Sequence, residues 1–315
     1  MEQTKETINI FFSTANNYEK YTDVAITSII ENASKDYNYK ITVFHCDMSP
    51  ESQRILKAHN NENFTIEPRN VQEELNKLKE LLPNSFHFSI ASYYRFFIEP
   101  LYPELDKAIY LDGDLIIVDD ISKLYNIDLG NNLLGAVNEQ NCFLMPLMTA
   151  YTEQVSGIDP HKFFNSGVLL MNLNEIRKFG ILNRFVNLVK TYNFETPMAD
   201  QDYLNNICRN RVKLLPNGWN LEGVPGQELE GELKIRHYAF GTKPWKTKQV
   251  KDADLFWKYA EKSQFYEQLK REFEQVTEQD LLKDRENAGK LIAIAERLLR
   301  SDHTFKKLII DVEDK

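Results

Sequence analysis

Lys107-Ala108-Ile109-Tyr110-Leu111-Asp112-Gly113-Asp114 is the stretch on which the fold turns, a buried five-residue strand that runs straight into two carboxylates. The residues before it give that strand its setting. Residues 8–12 read as a first strand, Tyr21, Val24, Ala25, Ser28 and Ile29 recur at helical spacing, and residues 40–45 alternate as a second strand. Ser49-Pro50-Glu51 supplies a cap, a first-turn proline and a first-turn acid for the next helix. Residues 64–67 form a short strand and residues 90–98 a helix rich in aromatics. This βαβαβ progression predicts an α/β fold with helices over a sheet, in which ligands bind beyond the carboxyl ends of strands. Asp112 and Asp114 stand at such an end.

Beyond that point, residues 133–137 and 167–173 read as strands, 174–192 and 200–209 as helices, and 234–238 as a late strand. From Asp254 onward the apolar spacing is helical, so the chain divides near residue 250 into a ligand-binding domain, 1–250, and a helical C-terminal region, 251–315. With 315 residues, 42% of them apolar, the chain can build a sizeable core. Its 38 basic and 47 acidic side chains leave a net charge of −9, which argues against nucleic acid as the partner. An anionic ligand therefore needs local cations or a metal. Cys46, Cys142 and Cys208 are scattered and show no C-x-x-C spacing, and the N-terminus has no apolar leader, so a cytoplasmic protein is expected.

In Asp112-Gly113-Asp114, side chains two apart on an extended segment point the same way, and the glycine lets a ligand approach the backbone. Converging carboxylates suit Mg²⁺ or Mn²⁺, ions that complete their shell with substrate phosphates. The plain alternative is a strand-end turn. An EF-hand loop is excluded, because Ile116 and Ile117 stand where that loop needs an oxygen ligand and a glycine. Near the end of the late strand, His237 offers an imidazole, and Lys243, in a turn marked by Gly241 and Pro244, a positive charge for a diphosphate. The plain reading of these two is a core histidine and a solvated lysine. Asp200 reads as a helix cap, or with Asp202 as an ordinary acid of the first turn, and Gln201 projects beside them. Asn165-Ser166-Gly167 reads as a turn whose amide can meet sugar hydroxyls, and Arg95 as a helix cation. No P-loop, dinucleotide fingerprint, nucleophile elbow or H-E-x-x-H is present.

Taken in order, these pieces resemble the family 8 glycosyltransferases, which include bacterial lipooligosaccharide galactosyltransferases and glycogenin. The matching segments are Ile10-Phe11-Phe12-Ser13 through Asn17-Tyr18, His87 through Arg95, Tyr110 through Asp114, Phe164 through Leu170, Asp200-Gln201-Asp202, and His237 through Trp245. The resemblance implies a GT-A fold, a Rossmann-like mixed sheet flanked by helices, here with a helical C-terminal appendage, and transfer of a hexose from a UDP-sugar with retention of configuration. It also implies Asp112, Asp114 and His237 as Mn²⁺ ligands, with Mg²⁺ as the alternative ion. Ala15, Asn16, Asn17 and Tyr18 resemble the uridine loop; Gly241, Lys243, Gly113 and His87 lie in the motifs around the diphosphate. Arg95, Asn165, Asp200 and Gln201 match positions that hold the donor sugar, Asp200 and Gln201 being the expected catalytic pair. Ala15 replaces an acid common in the uridine loop, Glu139 stands where some relatives have Asp, and Phe240 replaces a glycine.

The expected partners are a nucleotide sugar and a glycan, lipid or protein acceptor. A metal-dependent nucleotidyltransferase or nucleotide-sugar hydrolase is the first rival, although residues 13–18 lack the glycines and bases such loops carry. A noncatalytic sugar-binding protein is the second, opposed by the intact Asp112, Asp114, His237 and Lys243. The tail from 278 on has amphipathic spacing suited to weak peripheral membrane contact at the inner face, to the protein's own body, or to a second copy in a homo-oligomer. Its eight basic and seven acidic residues between 281 and 315 leave little pull toward anionic lipid.

Overall fold

The computed structural model describes residues 5–15, 17–79, 90–241 and 243–310. Among them are the strands β1 (Thr7–Ser13), β2 (Asn38–His45), β3 (Phe64–Asn70), β4 (Lys107–Leu111), β5 (Leu115–Ile117), β6 (Leu134–Asn138), β7 (Phe164–Asn172), β8 (Val212–Leu214) and β9 (Ile235–His237). Seven strands form one sheet in the order β3-β2-β1-β4-β7-β6-β8, and β5 pairs with β9 in a second, small sheet. β1, β2, β3 and β4 are parallel, whereas β7 runs against both β4 and β6, so the sheet is mixed. This is the flanked α/β architecture of the GT-A type that the sequence predicts.

Alternation along the central strands explains why helices cover both faces. Ile8, Ile10 and Phe12 of β1, with Ile109 and Leu111 of β4, enter one core, while Phe11, Ala108 and Tyr110 enter the other. From β1 the chain steps outward to β2 and β3, then returns to place β4 on β1's other side, with Leu111 beside Phe12. The carboxyl ends of β1 and β4 therefore flank a topological switch point, where a crevice opens.

Asp112 and Asp114 straddle the two sheets. The Asp112 amide donates to Gly167 O at 2.8 Å, extending the β4–β7 pairing, and the Tyr238 amide donates to Asp114 O at 2.9 Å, extending β5–β9. Leu115 lies opposite His237 in that small sheet, which brings residue 237 beside residue 114.

Two helices differ from expectation. The 90–98 segment is a 3₁₀ helix, Ile90–Phe97, followed by a short α-helix, Ile98–Leu101, and Pro100 has no amide to continue an α-helical ladder back to Phe96 O. The 174–192 helix is two, Leu173–Phe179 and Ile181–Thr191, parted at Gly180, whose φ of 73° only glycine adopts freely.

The C-terminal region is helical. Ala253–Ala260 and Tyr266–Glu274 pack around Tyr238 and Trp245. Glu278–Leu298 opens on a capping box, with the Thr277 amide donating to Asp280 Oδ2 at 2.9 Å and the Asp280 amide to Thr277 Oγ1 at 3.3 Å. Its Ile294 and Leu298 are buried against Cys142, Tyr151, Phe163 and Met198, a contribution of roughly 4 kcal/mol at about 2 kcal/mol per aliphatic side chain. Leu282 and Ile292 on the same helix are exposed. Among the described residues, no helix is long and apolar enough to cross a membrane.

Candidate active site

A cleft of about 720 Å³ opens beyond β1 and β4, within the range of small-molecule sites, roughly 300–1,000 Å³. Asp112, Asp114 and His237 meet at its floor, one ligand atom of each lying within 4.8 Å of the others. The space among them exists because residue 167 is glycine: a Cβ there would collide with His237 Cε1 and Asp112 Oδ2. Two carboxylate oxygens and an imidazole nitrogen around a cradle that a methyl group would fill are a donor set fit for a divalent ion.

The surrounding charges are arranged for a cation. Asp114 Oδ1 lies 3.2 Å from His237 Nε2, while its Oδ2 accepts from Tyr18 Oη at 3.3 Å and from Lys243 Nζ. Burial alone would raise the Asp114 carboxyl, but Lys243 and His237 overcome it and hold the group well below the usual carboxylate range. Lys243 thus neutralises Asp114 in the ion-free protein. Asp112 Oδ1 accepts from Tyr110 Oη at 2.8 Å and from Arg95 Nη2 at 3.1 Å.

Arg95 organises the wall between metal site and helix. Buried beneath the floor, its guanidinium lies 4.2 Å from the Tyr110 ring centroid, donates from Nη1 to Ser166 O and from Nε to Ser92 O at 2.7 Å. Nε is also 3.1 Å from Asp200 Oδ2, a charge contact only, since its hydrogen points to Ser92. Asp200 Oδ2 is buried and accepts no hydrogen bond among the described residues. Burial, against the pull of Arg95, pushes the Asp200 carboxyl up to about 6. An unsatisfied buried acceptor beside a cleft suits a ligand hydroxyl.

Asp200 is not the cap of its helix. Ala199 holds that position, at φ 50° and ψ −121°, and no side chain caps Asp200–Cys208. Backbone strain of this kind collects at functional sites. Asp202, read from the sequence as an ordinary first-turn acid, is buried, accepting from Tyr151 Oη and from the Met198 amide, each at 2.9 Å. Burial pushes it up to about 7. Gln201 accepts from the Ser166 amide at 2.9 Å and donates to Glu139 Oε2 at 3.2 Å.

The model of glycosyl transferase family 8 matches residues 9–249. The chain belongs to glycosyltransferase family 8. As a family 8 enzyme it transfers sugar, and the family implies a nucleotide-sugar donor. It is 27% identical over 253 residues to a putative glycosyltransferase of Haemophilus influenzae, covering 77% of this chain and 74% of that one. It is 25% identical over 260 residues to the lipopolysaccharide 1,2-glucosyltransferase of Escherichia coli, covering 77% and 74%. The fold is similar to that of the galactosyltransferase LgtC, solved with donor and acceptor sugar analogs, with a TM-score of 0.68 at 23% identity over 82% of this chain and 96% of that one.

Of the family 8 positions named from sequence, Ala15, Tyr18, Arg95, Asp112, Gly113, Asp114 and Asn165 border the cleft. Asp200, Gln201, His237, Gly241 and Lys243 border it too. Asn17 forms the turn beneath Tyr18 with φ 62°. Asn16 and His87 lie outside the described residues. Sequence reasoning missed Asn220, Glu222 and the site role of Glu139, whose signal is burial, and it missed that Asp284, Asn287 and Lys290 of Glu278–Leu298 form a wall of the cleft. Lys246 clamps that helix through Asp284, at 2.6 and 2.8 Å.

Proposed function

We propose that the chain is a metal-dependent, retaining hexosyltransferase that moves glucose or galactose from a UDP-sugar to a glycan, lipid-linked or protein-linked acceptor in the cytoplasm. The observation that carries this reading is the convergence of Asp112, Asp114 and His237 on a cradle kept open by Gly167, with Lys243 beside it. Two carboxylates suit Mg²⁺ or Mn²⁺, and the imidazole favours Mn²⁺. An ion held there would supply positive charge to the departing diphosphate.

The chain's own residues divide the remaining work. Ala15, Asn17 and Tyr18 hold the uridine, while Lys243 and the backbone at Gly241 take the diphosphate. Once the donor arrives, Lys243 leaves Asp114 for the phosphate oxygens, so the charge paired with Asp114 becomes the charge that grips the ligand. Asp200 Oδ2, which lies beside Arg95 Nε but accepts no hydrogen bond among the described residues, accepts from a sugar hydroxyl. Arg95 fixes Asp112 and Asp200 relative to each other. Gln201 is a poor nucleophile whose Oε1 is engaged by the Ser166 amide, which favours same-face attack with the leaving phosphate taking the acceptor proton. A covalent sugar adduct trapped on Asp200 would refute that stereochemical route.

The test is release of UDP from UDP-glucose and UDP-galactose with Mn²⁺, with and without sugar acceptors, in the native protein and Asp114→Ala. Metal-dependent release abolished by the substitution is expected. Absence of both UDP release and metal-dependent UDP binding, with Asp114→Ala indistinguishable from the native protein, overturns the reading.

A further inference from the structure

Behind the cleft floor lies a buried chain of polar side chains that the reaction as proposed does not use. Glu139 and Glu222, almost inaccessible to solvent, converge on the Asn165 amide, whose Nδ2 donates to Glu139 Oε2 at 2.8 Å and to Glu222 Oε1 at 3.1 Å. Asn165 Oδ1 accepts from the Gly167 amide at 2.8 Å and from Asn220 Nδ2 at 2.9 Å. Asn220 Oδ1 in turn faces His237 Nδ1 at 2.8 Å. The chain runs without a break from a carboxyl pair to a side chain of the cation site.

Its polarity is not free. A backbone N–H can only donate, so Gly167 requires Oδ1 of Asn165 on its side. That leaves Nδ2 for the two carboxyl groups, and the opposite orientation would set oxygen against carboxylate and nitrogen against N–H. Because Asn165 Oδ1 is an acceptor, Asn220 must present Nδ2 to it and Oδ1 to the imidazole. An amide oxygen accepts only, so the nitrogen facing it carries the hydrogen. Both amide hydrogens and both oxygen lone pairs of Asn165 are then spent within the protein, which removes it from direct reading of a sugar.

We infer that Glu139, Glu222, Asn165 and Asn220 form a positioning relay that holds a hydrogen on Nδ1 of His237 against the competing acceptor Asp114 Oδ1, which lies 3.2 Å from Nε2, and so leaves Nε2 to face the cation site. The inference rests on the proposed role of His237 as a metal ligand. Metal-bound histidines are oriented by such partners on the far nitrogen, and loss of one typically costs 10–100-fold in metal affinity. Asn220 acts here through His237 and touches neither metal nor sugar. The carboxyl pair supplies the acceptors that keep Asn165 from turning.

The decisive measurement is the ¹⁵N spectrum of the metal-free, histidine-labelled protein at a pH where the rings are neutral, with His237 assigned by its loss in His237→Gln. The expected result is a protonated Nδ1, whatever hydrogen Nε2 shares with Asp114 Oδ1. In Asn220→Leu the hydrogen moves wholly or partly to Nε2, and Mn²⁺ affinity, followed by the electron paramagnetic resonance of the free ion, falls about 10–100-fold. A native ring with Nδ1 unprotonated overturns the relay, as does an unchanged Nδ1 in a folded Asn220→Leu protein. A shifted tautomer with unchanged Mn²⁺ affinity overturns the link from relay to metal. The native spectrum needs no variant, so the relay stands or falls even if Asn220→Leu does not fold. Failure of the native protein to bind Mn²⁺ refutes the metal reading instead, and the spectrum distinguishes the two failures.

Discussion

Replacing Lys243 by methionine is predicted to tighten Mn²⁺ binding and weaken UDP binding in the same protein. In the ion-free enzyme, Lys243 Nζ sits on Asp114 Oδ2, and both side chains are only 13% exposed. A charge-assisted hydrogen bond out of water is worth about 1.5–3 kcal/mol, and the remaining solvent contact brings this to about 2 kcal/mol. An ion between Asp112, Asp114 and His237 competes with that ammonium for the charge of the Asp114 carboxylate. Without it the ion gains about 2 kcal/mol, or about 30-fold in Kd at 1.4 kcal/mol per tenfold. The diphosphate loses its cationic contact, so UDP measured calorimetrically at saturating Mn²⁺ binds about tenfold or more weakly. In the ion-free state Lys243→Met also costs stability at neutral pH. Lys243 holds Asp114 below its ordinary value of 3.8, so the stabilisation is complete above that pH and is lost as acid protonates the carboxylate. The assay for the first claim is a Mn²⁺ titration without nucleotide. Equal or weaker Mn²⁺ binding by Lys243→Met refutes the idea that lysine and metal compete for Asp114.

Gly167→Ala places a methyl group against His237 and Asp112, and is expected to abolish measurable Mn²⁺ binding while the far-ultraviolet circular dichroism stays native. Ala199→Gly relieves the backbone at φ 50°, ψ −121°; the urea midpoint should rise by the equivalent of about 1 kcal/mol and turnover should fall as Asp200 and Gln201 gain freedom. The buried carboxyls of Asp200 and Asp202 are raised to about 6 and about 7, so they favour the folded state most below the ordinary carboxyl value of 3.8 and lose that contribution as pH rises through 6 and 7. Urea melts of Asp202→Asn between pH 4.5 and 7.5 should therefore show a shallower decline than the native protein.

The central strands were legible because their signals are local. Short β-branched and aromatic runs mark β1, β2 and β4, and Asp112-Gly113-Asp114 follows the last of them directly, at the strand end where the cleft opens. Gly180 was not legible, since the apolar spacing on both sides fits one helix and only the break between Leu173–Phe179 and Ile181–Thr191 demands a positive φ there. Asp202 reads as a solvent-facing acid of a first helical turn, yet Tyr151, fifty-one positions earlier, buries it. Asn220 and Glu222 carry no spacing rule at all. Their roles come from the residues that meet around them, Asn165 of β7, His237 of β9 and Gln140, through contacts seventeen to eighty-two residues distant in sequence.

The path of Asp112-Gly113-Asp114 from one sheet to the other has a mechanical consequence. Asp112 is anchored to the large sheet through Gly167, whereas Asp114 and His237 belong to the small one, along with the helices packed on Tyr238. If the proposed cation is held by all three, it would be a rivet through both layers: sliding one layer against the other would stretch its bonds, so loading the ion would stiffen the protein in the same event. Hydrogen exchange at the β5 and β9 amides, remote from any sugar, becomes a gauge of whether the rivet is in place.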